Sequence, residues 1–249
     1  MDNGCHFHAG NNKKLEITMI KRCIICCLMM FAMSSIMAKT DEFVWYDGEN
    51  AVAYNVLTDV EPVVKVALSM FSDDMSAVTG RKAVHTNNAV LMIVELDKAS
   101  EKLRKKLARK NVPVDEVMSS YDGFNISVYD GNVFIVGKNG RGTAYGILEM
   151  SRMAGVSPWI WWGDVVPERK SCLTINRNTS VTLGASVEYR GIFINDEDWS
   201  IRPWSEKGQK GLIGRDTYKK VFQLLMRLRA NAVWPAMHEG TVSFFKTPG

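Results

Sequence analysis

From Val52 onward the chain switches between runs of continuous apolar residues and stretches with apolar positions three or four residues apart. Val52–Val56 has the length of a short strand, and Pro62–Val78 predicts a helix that Gly80 stops just past its end. Ala89–Leu96 is nearly all apolar, the pattern of a strand covered on both faces. Ala99–Lys110 follows as a basic amphipathic helix, whose Lys and Arg run reads as a solvated face. Phe124–Tyr129 and Asn132–Gly137 are two strand-like runs joined by Asp130-Gly131. That dipeptide suits a type I′ turn, which needs positive φ at both central residues. Gly140–Ala154 predicts a helix closed by Gly155. The expectation for residues 39–170 is therefore one α/β accessory domain with a mixed sheet.

Residues 171–186 are polar apart from strand-like Leu173–Ile175 and read as a connector. A second rhythm starts at 187. Tyr189–Ile194 predicts a buried strand, and Asn195-Asp196-Glu197-Asp198-Trp199 follows as an acidic loop. A loop with Arg202, Pro203 and Trp204 leads to Asp216, a candidate cap for a helix over Thr217–Ala230. Tyr218, Val221, Phe222, Leu225 and Leu228 fall on one face of that helix. Ala232–Met237 predicts another strand, ending at His238-Glu239. Strand, helix, strand with polar residues past both carboxyl ends is the opening of a βαβ series, and parallel α/β folds build their sites at those ends. A complete (β/α)₈ barrel needs roughly 250 residues by itself, so 187–249 holds only its start.

The first stretch changes the meaning of the composition. Met19-Ile20-Lys21-Arg22 is basic, Cys23–Met33 is apolar, and Ser34-Ser35-Ile36-Met37-Ala38 precedes polar Lys39-Thr40-Asp41-Glu42. This three-part layout predicts a secretory signal peptide over 1–38, with Met1–Thr18 as an upstream extension. The apolar run is shorter than the about 20 residues of a membrane span. The expected location is exported, periplasmic or extracellular, without a stable membrane anchor. Four of the five cysteines precede Ala38, leaving Cys172 alone and no internal disulfide to expect. Residues 1–38 also carry four basic and two acidic side chains, so the net charge of +4 falls to +2 without them. Neither that balance nor any aromatic-interleaved basic stripe points to nucleic acid.

Several chemistries lack their residues. There is no His-Glu-x-x-His, no paired Cys-x-x-Cys and no Gly-x-Ser-x-Gly, so metalloprotease, zinc-ribbon and serine-hydrolase readings lack support and no metal or cofactor is expected. Gly137-Lys138-Asn139-Gly140-Arg141-Gly142 sits between a strand and a helix, where phosphate could bind, but matches neither nucleotide spacing. A tightly packed βα turn is the simpler reading. Asp196, Glu197 and Asp198 in a row raise one another's pKa unless donors share the site. With Trp199 and Trp204 beside them they suit carbohydrate, since carboxylates accept from hydroxyls and indole faces pack on a pyranose. His238-Glu239 has the same position at a strand end. Trp159, Trp161 and Trp162 read as packing between the two parts of the chain, with a binding platform as the alternative.

Tyr189–Trp199, Leu228-Arg229-Ala230-Asn231 and Trp234-Pro235-Ala236-Met237-His238-Glu239 resemble the start of the catalytic barrel in glycoside hydrolase family 115. Tyr121–Asp164, with its hairpin, its Arg141-Gly142-Thr143 turn and its Pro158-Trp159 segment, is similar to the non-catalytic domain before that barrel. The resemblance implies a xylan α-1,2-glucuronidase that removes glucuronic acid or its 4-O-methyl form from glucuronoxylan or a related glycan, by an inverting, metal-independent mechanism. By analogy Asn195, Asp196, Glu197, Trp199, His238 and Glu239 line the glucuronate pocket, with the general acid and base beyond residue 249. The resemblance also implies a longer chain than this one. The expectation is thus an N-terminal part, inactive alone, with a dimer as one expected state of the full-length protein. A non-catalytic carbohydrate-binding module and a phosphate-binding α/β protein are the competing readings.

Overall fold

A computed structural model describes residues 41–195, 201–208, 213–237 and 243–246. The predicted signal peptide and four of the cysteines lie outside the described residues, and Cys172 is exposed with a free thiol. The elements in chain order are β1 (Glu42–Tyr46), β2 (Ala53–Val56), α1 (Pro62–Thr79), β3 (Val84–His85), β4 (Leu91–Glu95), α2 (Glu101–Arg109) and α3 (Val114–Ser119). They continue with β5 (Tyr121–Tyr129), β6 (Asn132–Gly137), α4 (Gly140–Met153), β7 (Leu173–Asn176), β8 (Ser180–Ala185), β9 (Gly191–Phe193), α5 (Ile201–Gly208), α6 (Arg215–Arg227) and β10 (Ala232–Trp234). No described helix is long and apolar enough to cross a membrane.

The fold is α/β with a mixed sheet. Its six strands run in the order β3-β2-β4-β6-β5-β8, with β3, β2, β4 and β6 parallel and β5 and β8 antiparallel to their neighbours. The continuous apolar run at β4 has its expected cause: both sheet faces are covered. On one face Val64, Phe71 and Met75 of α1 and Ile147 and Met150 of α4 pack on Leu91, Ile93, Phe124 and Ile135. On the other, Leu107 of α2 and Val117 of α3 pack on Val94, Phe134 and Val136. The hairpin between β5 and β6 turns as predicted, with Asp130 at φ 48° and Gly131 at φ 71°. Gly80, at φ 86°, ends α1 by donating its N–H to Ser76.

Four segments differ from the sequence expectation. Residues 171–186, read as a connector, hold β7, which pairs antiparallel with β1, and β8, which extends the main sheet beside β5. Neither strand carries an uninterrupted apolar run: β7 alternates buried and exposed residues, and no residue of β8 is fully buried. The supposed loop at Arg202–Trp204 is helix α5, which tolerates Pro203 because the first-turn N–H groups have no helical partner. Gly214, not Asp216, holds the cap position before helix α6, and Asp216 lies in its first turn. Its buried stripe is Tyr218, Val221, Leu224 and Leu225, while Phe222 and Leu228 are exposed. Finally, β9 is exposed along its length. Among the described residues it pairs only with β10, and of the pair and the residues just past it Ile194, Val233 and Ala236 turn toward α6 while Phe193 and Trp234 face outward.

Glu95, at the carboxyl end of central β4, is wholly buried. One of its oxygens accepts the Glu61 N–H at 3.0 Å and the other, Oε1, has no partner. Burial, and then the nearby Glu61 carboxylate, push the Glu95 carboxyl above its ordinary range, although the Glu61 N–H pulls the other way. The folded state therefore holds a proton there that the unfolded chain has lost, so this group's contribution to stability falls as pH rises between the two pKa values. Glu95→Gln removes that dependence. It should raise the melting temperature by a few degrees at pH 8, with the gain shrinking as pH drops toward the carboxylate range, as read by thermal unfolding across pH.

Candidate functional site

The site begins with the β9–β10 pair. These strands are parallel, with Gly191 opposite Ala232, Ile192 opposite Val233 and Phe193 opposite Trp234. The Ile194 N–H donates to the Trp234 carbonyl at 2.8 Å, so the pairing extends one step past β9. Both chains leave the sheet at the same end. Asn195 is the next residue, and it is exposed. Asp196, Glu197, Trp199, His238 and Glu239 lie outside the described residues. What the structure does bring together is the two strand ends from which all six candidate residues depart, side by side and in register.

The opposite ends of those strands are held by charge. Asp122 of β5 is buried, and its Oδ2 accepts from Arg190 Nη2 at 2.7 Å and from Asn231 Nδ2 at 3.3 Å. Its Oδ1 accepts from Arg141 Nε at 2.9 Å and Asn139 Nδ2 at 3.1 Å. Arg190 spends its remaining donors on the carbonyls of Val187, Glu188 and Arg229. Asn231 accepts the Arg190 N–H at its side-chain oxygen and donates to the Glu188 carbonyl. Two further acids repeat the arrangement. Asp74 of α1 holds Arg227 of α6 through two bonds of 2.8 and 2.7 Å, and Glu149 of α4 holds Arg229 at 2.7 Å as well as its own neighbour Arg152. The Tyr145 hydroxyl donates to the Ala230 carbonyl beside them.

Burial works to raise the Asp122 carboxyl, but hydrogen bonds from Arg190, Asn139 and Arg141 outweigh it and hold the group below its ordinary range. Glu149 is likewise lowered: its burial is outweighed by Arg152 and Arg229. The sequence reading missed this cluster. Its members lie far apart in the chain, and only polar residues bracketing the apolar runs at 190 and 229–231 signal it.

The other candidate features resolve into packing. A side chain at Gly137 would collide with Thr143, and one at Gly142 with the Gly123 carbonyl, so the glycines serve close approach of strand and helix. The N-terminus of α4 is already capped by Asn139, whose Oδ1 accepts the Gly142 N–H, and the Asp122 and Glu61 carboxylates stand beside it. An anion there would meet like charge. Trp162 stacks on Trp204 with ring centroids 4.4 Å apart, and Lys220 sits 4.5 Å over Trp161. The packing reading of these tryptophans holds, with Trp159 left half-exposed. Among the described residues no group of three or more His, Cys, Asp and Glu is placed to hold a metal ion.

Comparison with known proteins adds the following. The model of Glycosyl hydrolase family 115 matches residues 184–248, the span of β9, α5, α6 and β10. No curated protein matches. Among solved structures, a family GH115 4-O-methyl-α-glucuronidase with specificity for decorated arabinogalactans is 38% identical at a TM-score of 0.71. The match covers 82% of this chain and 27% of that one, so this chain spans about a quarter of its neighbour's length. A Streptomyces plicatus β-hexosaminidase mutant is 9% identical over 78% of this chain and 31% of its own, and its TM-score of 0.44 carries no argument.

Two outcomes follow from the charged cluster. Asp74→Ala strands the nearly buried Arg227 and should cost about 3–5 kcal/mol of stability, whereas Lys82→Ala at the exposed Asp73–Lys82 pair should barely move the denaturation midpoint. Because Asp122 and Glu149 have lowered pKa values, their contribution is complete above the ordinary carboxylate range and is lost as pH falls through the folded values. Urea titrations below about pH 4 should show a steep loss of stability that Asp122→Asn flattens.

Proposed function

The chain belongs to glycoside hydrolase family 115, and on that premise we propose that it is the N-terminal part of an exported xylan α-1,2-glucuronidase. The observation that carries the reading is the 38% identity over most of the chain with a 4-O-methyl-α-glucuronidase, joined to a family match spanning both candidate strands. In this reading β9, α6 and β10 open a (β/α)₈ barrel, and Asn195, Asp196, Glu197, Trp199, His238 and Glu239 line the pocket for the glucuronate ring. Parallel barrels place their chemistry at the carboxyl ends of the strands, where these residues depart. Carboxylates there would accept from sugar hydroxyls, and Trp199 would cover an apolar sugar face.

The reaction is hydrolysis with inversion. One carboxylic acid protonates the leaving glycosidic oxygen while a second carboxylate activates water on the opposite face of the ring, the two standing about 6.5–9.5 Å apart. Those two groups are assigned to later strands of a family-length chain. The substrate is a glycan bearing glucuronic acid or its 4-O-methyl form, with glucuronoxylan first and a decorated arabinogalactan, the neighbour's substrate, second. The test is release of the uronic acid, followed by chromatography, from both polymers by the protein at family length. Release from either with inverted anomeric configuration by NMR is the expected result, and retention of configuration would refute the mechanism. Asp196→Ala should lower kcat/KM by about 100-fold, and full activity in that variant would remove Asp196 from the pocket.

A further inference from the structure

We propose that Asp122 is a positioning residue: through Arg190 and Asn231 it sets the alignment of β9 and β10, and so of the two strand ends that lead to the candidate pocket. Three observations converge on it. Asp122 is held at φ 45°, a left-handed conformation that Asp tolerates better than most residues, at an irregularity in the β5–β8 register between Tyr121 and Phe124. Four hydrogen bonds converge there on its one carboxylate. Its two partners across the junction are also the residues that begin the strand pair. The Arg190 carbonyl accepts from Asn231 and Ala232 at 2.7 and 2.9 Å, and the Asn231 side chain accepts the Arg190 N–H in return.

The third observation is the shortness of the strand pair. β9 and β10 share three residue pairs and have no other strand beside them among the described residues. In a parallel pair a slip of one residue turns every side chain to the other face. A slip of either strand would turn its carboxyl end, at Asn195 or at Met237, to the other face of the pair. Asp122 opposes it because the Arg190 and Asn231 side chains meet on its one carboxylate in the observed register.

Hydrogen–deuterium exchange on this chain tests the clamp without any substrate. Asp122→Asn should speed amide exchange in 191–195 and 232–237 by about tenfold or more, with β4 and β6 unchanged. Asp74→Asn, which breaks an equally buried pair on the same junction, should leave those segments within about twofold. Equal acceleration in both variants, or acceleration spread through the main sheet, would overturn the proposal. Should Asp122→Asn fail to fold, Asn231→Ala carries the same expectation with the Asp122–Arg190 pair intact. An activity arm rests on the glucuronidase reading. At family length Asp122→Asn should lower kcat by about 100-fold with KM little changed, and Asp122→Glu should recover part of it. Localised exchange with no uronate release even by wild type would support the clamp and overturn the pocket.

Discussion

Three buried acids hold three arginines, and the second part of the chain has its place because of them. Asp74, Asp122 and Glu149 stand on α1, β5 and α4 of the mixed-sheet unit, while Arg227, Arg190 and Arg229 flank α6 and the β9–β10 pair. Apolar contact alone would specify this junction poorly, since apolar surfaces tolerate sliding. Charges do not: moving Arg227 by one residue would leave the buried Asp74 carboxylate unpaired, at a cost of several kcal/mol. The side chains of Asp74 and Arg227 are 3% and 8% exposed, so water cannot compensate for a misplacement. What the ion pairs contribute here is uniqueness of docking more than net stability.

The rest of the fold can be seen as support for those acids. The sheet is covered on both faces, which makes β5 and α1 stiff enough to present Asp122 and Asp74 at fixed positions. Helix α4 comes close to the sheet at Gly137 and Gly142, bringing Asn139 and Arg141 within reach of the Asp122 carboxylate. The glycine-rich turn, which looked from its composition like a place for phosphate, is the lower jaw of this clamp. At the far side Trp162 and Trp204 close the gap between the 157–163 turn and α5.

The legibility of the chain followed the range of the interactions. Helices α1, α2 and α4, strand β4 and the Asp130-Gly131 hairpin were readable because caps, periodicity and turn chemistry are local. Strands β7 and β8 were not, because their pairing with β1 and β5 spans many residues and their one-sided burial dilutes the apolar signal. The exposure of Phe193 and Trp234 was unreadable for a related reason: an apolar strand says it can be covered, not by what. Of the candidate site, the strand ends were legible and the clamp beneath them was not. Asp122 has no sequence neighbour that betrays its role, and its partners come 68 and 109 residues later.

That spacing orders events in time. Each acid of the junction is synthesised before any of the arginines, so a ribosome delivers the sockets first and the plugs last. A nascent chain ending before Arg190 carries all three acids and none of the arginines they bind across the junction. When 190–229 follows, its arginines face carboxylates already made, and attraction between charges reaches further than apolar contact. The order of residues in the gene is thereby also an order of synthesis, with the sockets made ahead of what they receive.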